Sequence, residues 1–160
     1  MQISDVTATD LDDVLHLNED SVPHVSRVAM AEMEWFAQNA HYFRTVRQQG
    51  SLAGFLIGLR PGLPYDSPNY RWFSDNYRDF GYVDRVAVAA TARRRGVASL
   101  LYEDFASTLT GTVDVMTCEV NLRPPNDSSM KYHEQQGFVQ VASQETDGGD
   151  KEVALMEKKL

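Results

Sequence analysis

The sequence predicts an α/β fold. Its sheet is expected to be mixed, as in α+β proteins, with about seven strands flanked by about four helices. Short segments rich in β-branched and aromatic residues predict the strands, and longer segments with apolar residues at helical spacing predict the helices. The elements follow in the order β-α-α-β-β-β-α-β-α-β-β, without a repeat or a low-complexity segment. A chain of 160 residues, 42% of them hydrophobic, can bury one core, so we expect a single domain over residues 1–160.

The N-terminal elements are a strand, two helices and a hairpin. Residues 2–8 alternate as a short strand, and residues 10–20 follow a threonine cap and carry acidic residues in the first helical turn. A second helix over 27–40 has its apolar residues at roughly helical spacing. The hairpin arms are 41–48 and 52–59, and the second arm is apolar enough for a central place in the sheet.

Residues 60–79 interrupt this pattern with three of the six prolines, three tyrosines, a tryptophan and a phenylalanine. This composition predicts a long aromatic loop. Because long loops inside compact domains are usually functional, we favour a binding loop over a flap packed on its own aromatic residues.

The remaining elements are a strand over 81–90, a helix from Val97 towards Gly111, a strand over 112–120, a helix over 126–136 and a hairpin of 138–144 and 151–159.

Composition and charge exclude several classes of function. A net charge of -8 and a pI near 4.9 argue against nucleic-acid binding, which needs a broad basic face. No apolar run is long enough for a membrane span, and four aspartates among the first thirteen residues argue against a signal peptide, so we expect a cytoplasmic protein. Cys118 has no partner for a disulfide, and the four histidines lack the paired spacing of a zinc site, so no metal is predicted. Nothing in the sequence argues against a homodimer.

Three consecutive arginines stand at a predicted helix entrance in this acidic chain. A helix start exposes main-chain N–H groups and suits anions, and the small residues Gly96 and Ala98 leave those groups uncovered beside residues 93–95. The segment therefore has the features of a phosphate cradle, although a charge run on its own is more often a solvated face. It matches neither a Walker loop nor a dinucleotide-binding motif.

The context of the arginines resembles a known family. The pattern R-x-x-G-x-A directly after a V-A-V strand resembles the pyrophosphate loop of the GNAT N-acetyltransferase superfamily. A second signature of that family is similar to the arrangement of Asn126, His133, Gly137 and Phe138 here, and the element order agrees along the whole chain. The resemblance, which extends to a bacterial subgroup of predicted acetyltransferases, implies a GNAT-like fold and an N-acetyltransferase that uses acetyl-CoA.

The resemblance also implies where coenzyme A binds. Main-chain N–H groups late in the fourth strand would face the thioester oxygen, the arginine loop would hold the diphosphate, and the fourth helix would contact the pantetheine arm. The cofactor contacts implied in this way are Val86, Ala87, Val88, Arg93, Arg94, Arg95, Gly96, Val97, Ala98, Ser99, Asn126, Ser129 and His133. Two alternatives stay open: residues 86–88 are simply a buried strand, and Asn126 is simply a helix cap.

Proton transfer requires an acid for the leaving thiolate and a base for the amine. His133 occupies the position where the family usually has its tyrosine, and Tyr132 precedes it; we slightly favour His133 as the acid over Tyr132. The candidate bases are Asp84 and Glu119, which lie inside apolar strands where burial would raise the carboxyl pKa. An ion pair with a neighbouring arginine would lower it, and structural pairing or a water chain is the alternative for both.

The acceptor is expected near residues 17–26 and 60–79, the regions that build this pocket in the family. Acidic groups and aromatic rings there would attract and hold a cationic amine. The candidate contacts are Glu19, Tyr65, Tyr70, Trp72 and Phe73. A small-molecule amine is the first choice, a protein N-terminus or lysine the second, and a module that binds acyl-CoA without turnover is a rival of another class.

Overall fold

The computed structural model describes residues 1–160 and contains seven strands and five α-helices. The strands are β1 (Gln2–Asp5), β2 (Tyr42–Gln48), β3 (Ser51–Leu59), β4 (Gly81–Val88), β5 (Val115–Arg123), β6 (Val139–Thr146) and β7 (Lys151–Lys159). The helices are α1 (Leu11–Asp20), α2 (Met30–Asn39), α3 (Pro68–Asn76), α4 (Val97–Leu109) and α5 (Asp127–Gln135). None of the helices is long and apolar enough to cross a membrane.

The strands form one mixed sheet in the order β1-β2-β3-β4-β5-β7-β6. The pairs β1–β2, β2–β3, β5–β7 and β6–β7 are antiparallel, whereas β4 and β5 are parallel. The predicted fold class is therefore confirmed. The helix that the sequence did not predict is α3.

The chain divides into two compact units that share strand β4. The first unit comprises Met1–Leu59 and Asp84–Thr108, and the second comprises Arg60–Val83 and Leu109–Leu160.

In the first unit, helix α4 lies directly on strand β3. A Cβ atom at Gly58 would come within 2.5 Å of the Phe105 ring, and one at Gly54 within 2.8 Å of a Val97 methyl group. Real side-chain atoms do not approach so closely, so only glycine permits this packing at the two positions. Phe105 itself is fully buried, which makes this contact part of the core of the unit.

In the second unit, the predicted long loop is wrong for its central part, because residues 68–76 form helix α3. The Ser67 hydroxyl accepts a hydrogen bond from the Tyr70 main-chain N–H at 3.3 Å, and Pro68 occupies the first helical turn, where its missing N–H costs nothing. The Tyr70 hydroxyl donates to the Arg60 carbonyl at 2.7 Å and accepts from the Leu63 N–H at 3.1 Å. The residues before the helix are thus folded back onto it.

Helix α3 is also tied to the β6–β7 hairpin. The Tyr77 hydroxyl donates to a Glu157 carboxylate oxygen at 2.6 Å, and the Gln144 amide donates to Asn69 at 3.0 Å. Burial, reinforced by the hydrogen bond to Glu157, raises the pKa of Tyr77 well above its usual value, so this phenol stays protonated. The segment is an ordered part of the second unit.

Candidate active site

The arginine loop joins β4 to α4 in the first unit, after a short 3₁₀ turn at Ala90–Ala92. Its residues 93–96 are all exposed. Arg94 and Gly96 both have left-handed backbones, with φ of 63° and 79°. Because a Cβ atom at Gly96 would meet nothing within 4 Å, the backbone conformation, and not crowding, favours glycine there.

The start of α4 follows this loop directly. The Leu100 N–H donates to the Gly96 carbonyl at 2.9 Å, which is a hydrogen bond of the first helical turn. The N–H groups of Val97 and Ala98 lie ahead of this bond, at the start of the helix. Val97 is buried at 2% exposure against the core, whereas Ala98 and Ser99 are half-buried. Helix-start amides beside exposed guanidinium groups suit an anion with several oxygens, and the open space at Gly96 admits one. These features fit a diphosphate.

Residues 86–88 end strand β4 just before this loop. Val86 and Val88 are half-buried and Ala87 is buried at 5% exposure, as expected for alternating faces of a strand. The parallel register of β4 with β5 pairs Gly81 with Met116 and Tyr82 with Thr117, so residues 86–88 lie beyond those pairs. Their assignment to the thioester oxygen stays a prediction.

Asp84 forms a buried ion pair with Arg85 in the first unit. The Arg85 Nε donates to Asp84 Oδ2 at 2.7 Å, and both side chains are at most 4% exposed. The same guanidinium donates to the Asn18 side chain at 3.0 Å and to the Ser26 carbonyl and hydroxyl at 2.9 and 3.0 Å, and it lies over the Phe36 ring. The structural alternative foreseen for Asp84 is therefore present, and this pairing makes Asp84 the weaker of the two candidate bases.

Glu119 lies on β5 in the second unit and is half-buried. The Tyr82 hydroxyl donates to Glu119 Oε2 at 2.7 Å. Arg123, the arginine at the end of the same strand, donates to the Gly149 carbonyl at 2.7 Å and approaches Glu145 at 3.6 Å. A hydrogen bond of this kind favours the charged form of a carboxylate.

Asn126 caps helix α5. Its side-chain oxygen accepts hydrogen bonds from the Ser129 N–H and from the Ser128 hydroxyl, both at 3.3 Å. The helix-cap interpretation of Asn126 is thus confirmed, while the predicted contacts of Asn126 and Ser129 with the cofactor stay predictions.

His133 is 5% exposed and bonded within its own helix. Its Nδ1 lies 2.7 Å from the Ser129 carbonyl, which can only accept, so Nδ1 carries the hydrogen. Burial lowers the pKa of His133 below 6.5, and the bond to Ser129 opposes this shift only in part. A neutral imidazole is a poor proton donor at neutral pH, which weighs against His133 as the acid and favours half-buried Tyr132.

Two of the aromatic acceptor candidates do not fit that role. Tyr70 and Phe73 are 3% and 0% exposed and pack edge-on or tilted against Tyr82 at ring distances of 5.6 and 5.8 Å. Rings enclosed in this way cannot contact an acceptor, so their assignment is corrected to the core of the second unit. Tyr65 and Trp72 are half-buried and stay candidates.

Glu19 lies near the end of α1 in the first unit, where its carboxylate pairs with Arg27 at 2.8 Å. Their side chains are 45% and 73% exposed, so this is a solvated surface pair that is worth little and easily exchanged. Glu19 therefore stays a candidate for contact with a cationic acceptor.

Two features were not predicted from the sequence. One is Tyr82 as a partner of Glu119, and the other is the binding of Arg85 by Asn18 and Ser26. A signal was present, because an arginine within an apolar strand needs several acceptors. The sequence does not show which residues supply them, since Asn18 is 67 residues away. No group of three or more His, Cys, Asp or Glu side chains could hold a metal ion.

Comparison with solved structures finds proteins of the same fold. Ard1 from Thermoplasma volcanium matches with a TM-score of 0.81 at 19% identity, covering 99% of this chain and 97% of that chain. The ribosomal-protein-S18-alanine N-acetyltransferase from Escherichia coli matches with a TM-score of 0.74 at 17% identity, covering 99% and 92%. Naa20 from Chaetomium thermophilum, in complex with a bisubstrate analogue, matches with a TM-score of 0.77 at 18% identity, covering 100% and 87%. At these identities the likeness concerns the fold.

The fold is that of transferases that use acetyl-CoA as co-substrate. More particularly, the chain belongs to the acetyltransferase (GNAT) family, whose family model matches residues 11–138. No curated protein matches the chain. Membership of this family means that the chain is an acetyltransferase that acts on an amine. It does not distinguish a small-molecule acceptor from a protein acceptor.

Proposed function

We propose that the protein transfers the acetyl group of acetyl-CoA to the amine of a small cationic molecule, by direct attack within a ternary complex. The observation that carries the proposal is the exposed arginine loop with its left-handed Gly96 at the start of α4. Residues 93–95 supply positive charge and the first turn of α4 supplies N–H groups, and both favour the binding of a diphosphate. Acetyl-CoA, when bound, supplies the activated thioester.

Glu119 takes one proton from the bound ammonium group, which frees the nitrogen lone pair to bond to the acetyl carbon, and the second proton passes from the nitrogen to water as the amide forms. Main-chain N–H groups among residues 86–88 stabilise the negative charge that develops on the acetyl oxygen. Tyr132 donates a proton to the sulfur as the carbon–sulfur bond breaks, and solvent returns that proton. We choose Glu119 over Asp84 because Asp84 is committed to Arg85, and Tyr132 over His133 because burial keeps His133 neutral.

The acceptor side is supported by charge. A net charge of -8 favours association with cationic amines. The ion pair of Glu19 with Arg27 is exposed, so the Glu19 carboxylate can bind an incoming ammonium group in place of Arg27. A protein N-terminal amine is the second candidate acceptor, because the solved structures that resemble this chain include N-terminal and ribosomal-protein-alanine acetyltransferases.

The test is acetyl-CoA binding by calorimetry together with release of free thiol in the presence of amines. The panel contains aliphatic diamines, amino-acid amides and peptides with a free N-terminus, and the Glu119→Gln variant is the control. We expect thiol release with a small cationic amine and its loss in the variant. Preference for peptides would move the assignment to the second candidate, binding without thiol release would indicate a regulatory module, and absence of binding would refute the proposal.

A further inference from the structure

Tyr82 is a fully buried tyrosine whose hydroxyl reaches a candidate catalytic carboxylate. Its ring is 0% exposed, and its O–H donates to Glu119 Oε2 at 2.7 Å. A phenol has a single hydrogen to donate, so this bond orients the hydroxyl towards one oxygen of Glu119. The bond therefore fixes the orientation of the Glu119 carboxylate.

Aromatic residues of segment 60–80, here called the aromatic segment, hold the Tyr82 ring in place. Tyr70 packs edge-on against it at 5.6 Å, and Phe73 packs at 5.8 Å. Phe80 joins the same cluster through Tyr70 at 6.0 Å. Side chains packed on several sides have few alternative rotamers, so the position of the Tyr82 hydroxyl is set by residues that do not contact a substrate.

From this geometry we infer that Tyr82 is a positioning residue for Glu119, and that the aromatic segment acts on the reaction through Tyr82. The inference rests on the proposed function for the role of Glu119 as the base. It also gives Tyr70 and Phe73 a role different from the acceptor contact that their sequence pattern predicts.

The other titratable groups nearest Glu119 on its own strand and on β7 are Cys118 and Glu157. Glu119 lies opposite Leu155 on β7, and Glu157, one pair further along that face, accepts from the Tyr77 hydroxyl at 2.6 Å. Cys118 precedes Glu119 on β5. The pKa of its thiol is raised well above the usual value, mainly by burial and to a smaller extent by the charge of Glu119.

On β4, the next acidic side chain after Tyr82 is Asp84, which binds Arg85. Replacing Tyr82 by phenylalanine therefore removes a neutral donor of Glu119 and leaves the charges of these groups in place.

Tyr82→Phe removes this donor, and Tyr77→Phe is the matched control, because it removes a hydroxyl bonded to another glutamate of the same unit. Carbon NMR of the glutamate carboxyl groups follows the titration of the protein without ligands, and Glu119→Gln identifies the signal. We expect the Glu119 midpoint to rise by about one pH unit in Tyr82→Phe and to stay unchanged in Tyr77→Phe, since the donor favours the charged carboxylate.

The acid limb of kcat/KM for the acceptor should move upwards by the same amount, while the KM for acetyl-CoA stays unchanged. Replacing Tyr82 by fluorotyrosine preserves packing and strengthens the donor, so it should move both midpoints downwards and serves if Tyr82→Phe does not fold. An unchanged NMR midpoint in these variants would overturn the inference even if the enzyme acetylates amines. A shifted midpoint without any acetylation would instead overturn the proposed function and keep the Tyr82–Glu119 bond.

Discussion

Replacing Arg85 by methionine should strongly destabilise the protein. The guanidinium donates to Asp84, Asn18 and Ser26, and the Arg85 and Asp84 side chains are only 4% and 3% exposed. Methionine fills much of the same volume without a donor, so the buried Asp84 carboxylate loses its guanidinium partner. Breaking a buried pair from one side typically costs about 3–5 kcal/mol, a large share of the roughly 5–15 kcal/mol that stabilise a domain.

A second change tests the cause of that loss. Asp84→Asn in the Arg85→Met background removes the buried charge, so the double variant should be more stable than Arg85→Met alone. Arg27→Met is the control, because it breaks an ion pair whose side chains are 73% and 45% exposed, and such surface pairs contribute about 0–1 kcal/mol.

Urea unfolding, with circular dichroism as the signal, measures all four free energies of unfolding. The reasoning would be refuted by a loss below about 1 kcal/mol in Arg85→Met, similar to that of Arg27→Met. It would be equally refuted if Asp84→Asn added a further loss in the Arg85→Met background.

Further perturbations test the loop, the packing and the acid. Changing residues 93–95 to glutamate should abolish CoA binding in calorimetry while the free energy of unfolding changes by less than about 0.5 kcal/mol, because all three are exposed; retained affinity would refute the loop assignment. Gly58→Ala should cost about 1–3 kcal/mol in urea unfolding, since its Cβ would lie 2.5 Å from the Phe105 ring, and a neutral effect would contradict this packing. Tyr132→Phe should lower kcat about 100-fold and His133→Phe much less, and the reverse order would make His133 the acid. Because burial lowers the pKa of His133 below 6.5, the unfolded state binds an extra proton as the pH falls past that value; stability should therefore decline below about pH 6.5, and less steeply in His133→Phe.

The features that follow from local chain chemistry could be predicted from the sequence. The seven strands and the helices of the predicted order have their own apolar patterns, and the arginine loop is marked by a glycine after a charge run. Asn126 as a helix cap also follows from a short-range preference, because its oxygen meets the Ser129 N–H three residues later.

The features that depend on tertiary packing could not be predicted from the sequence. Helix α3 begins at Ser67 and Pro68, a valid start signal that the surrounding aromatic and proline-rich composition obscured. The burial that excludes Tyr70 and Phe73 from an acceptor site comes from their packing with Tyr82. His133 shows both limits: its bond to Ser129 has helical spacing, but the burial that keeps the ring neutral has no local signal.

Gly54 of β3 supports the first turn of α4, where we propose that the diphosphate binds. A methyl group at Gly54 would meet Val97 at 2.8 Å and the Ala87 carbonyl at 2.9 Å, so relief would require the first turn of α4 to retreat by about half an ångström. Hydrogen bonds to a diphosphate tolerate little such displacement. If the diphosphate binds there, Gly54→Ala should lower the affinity for acetyl-CoA, although it lies about forty residues before the arginines, removes no charge and contacts no ligand.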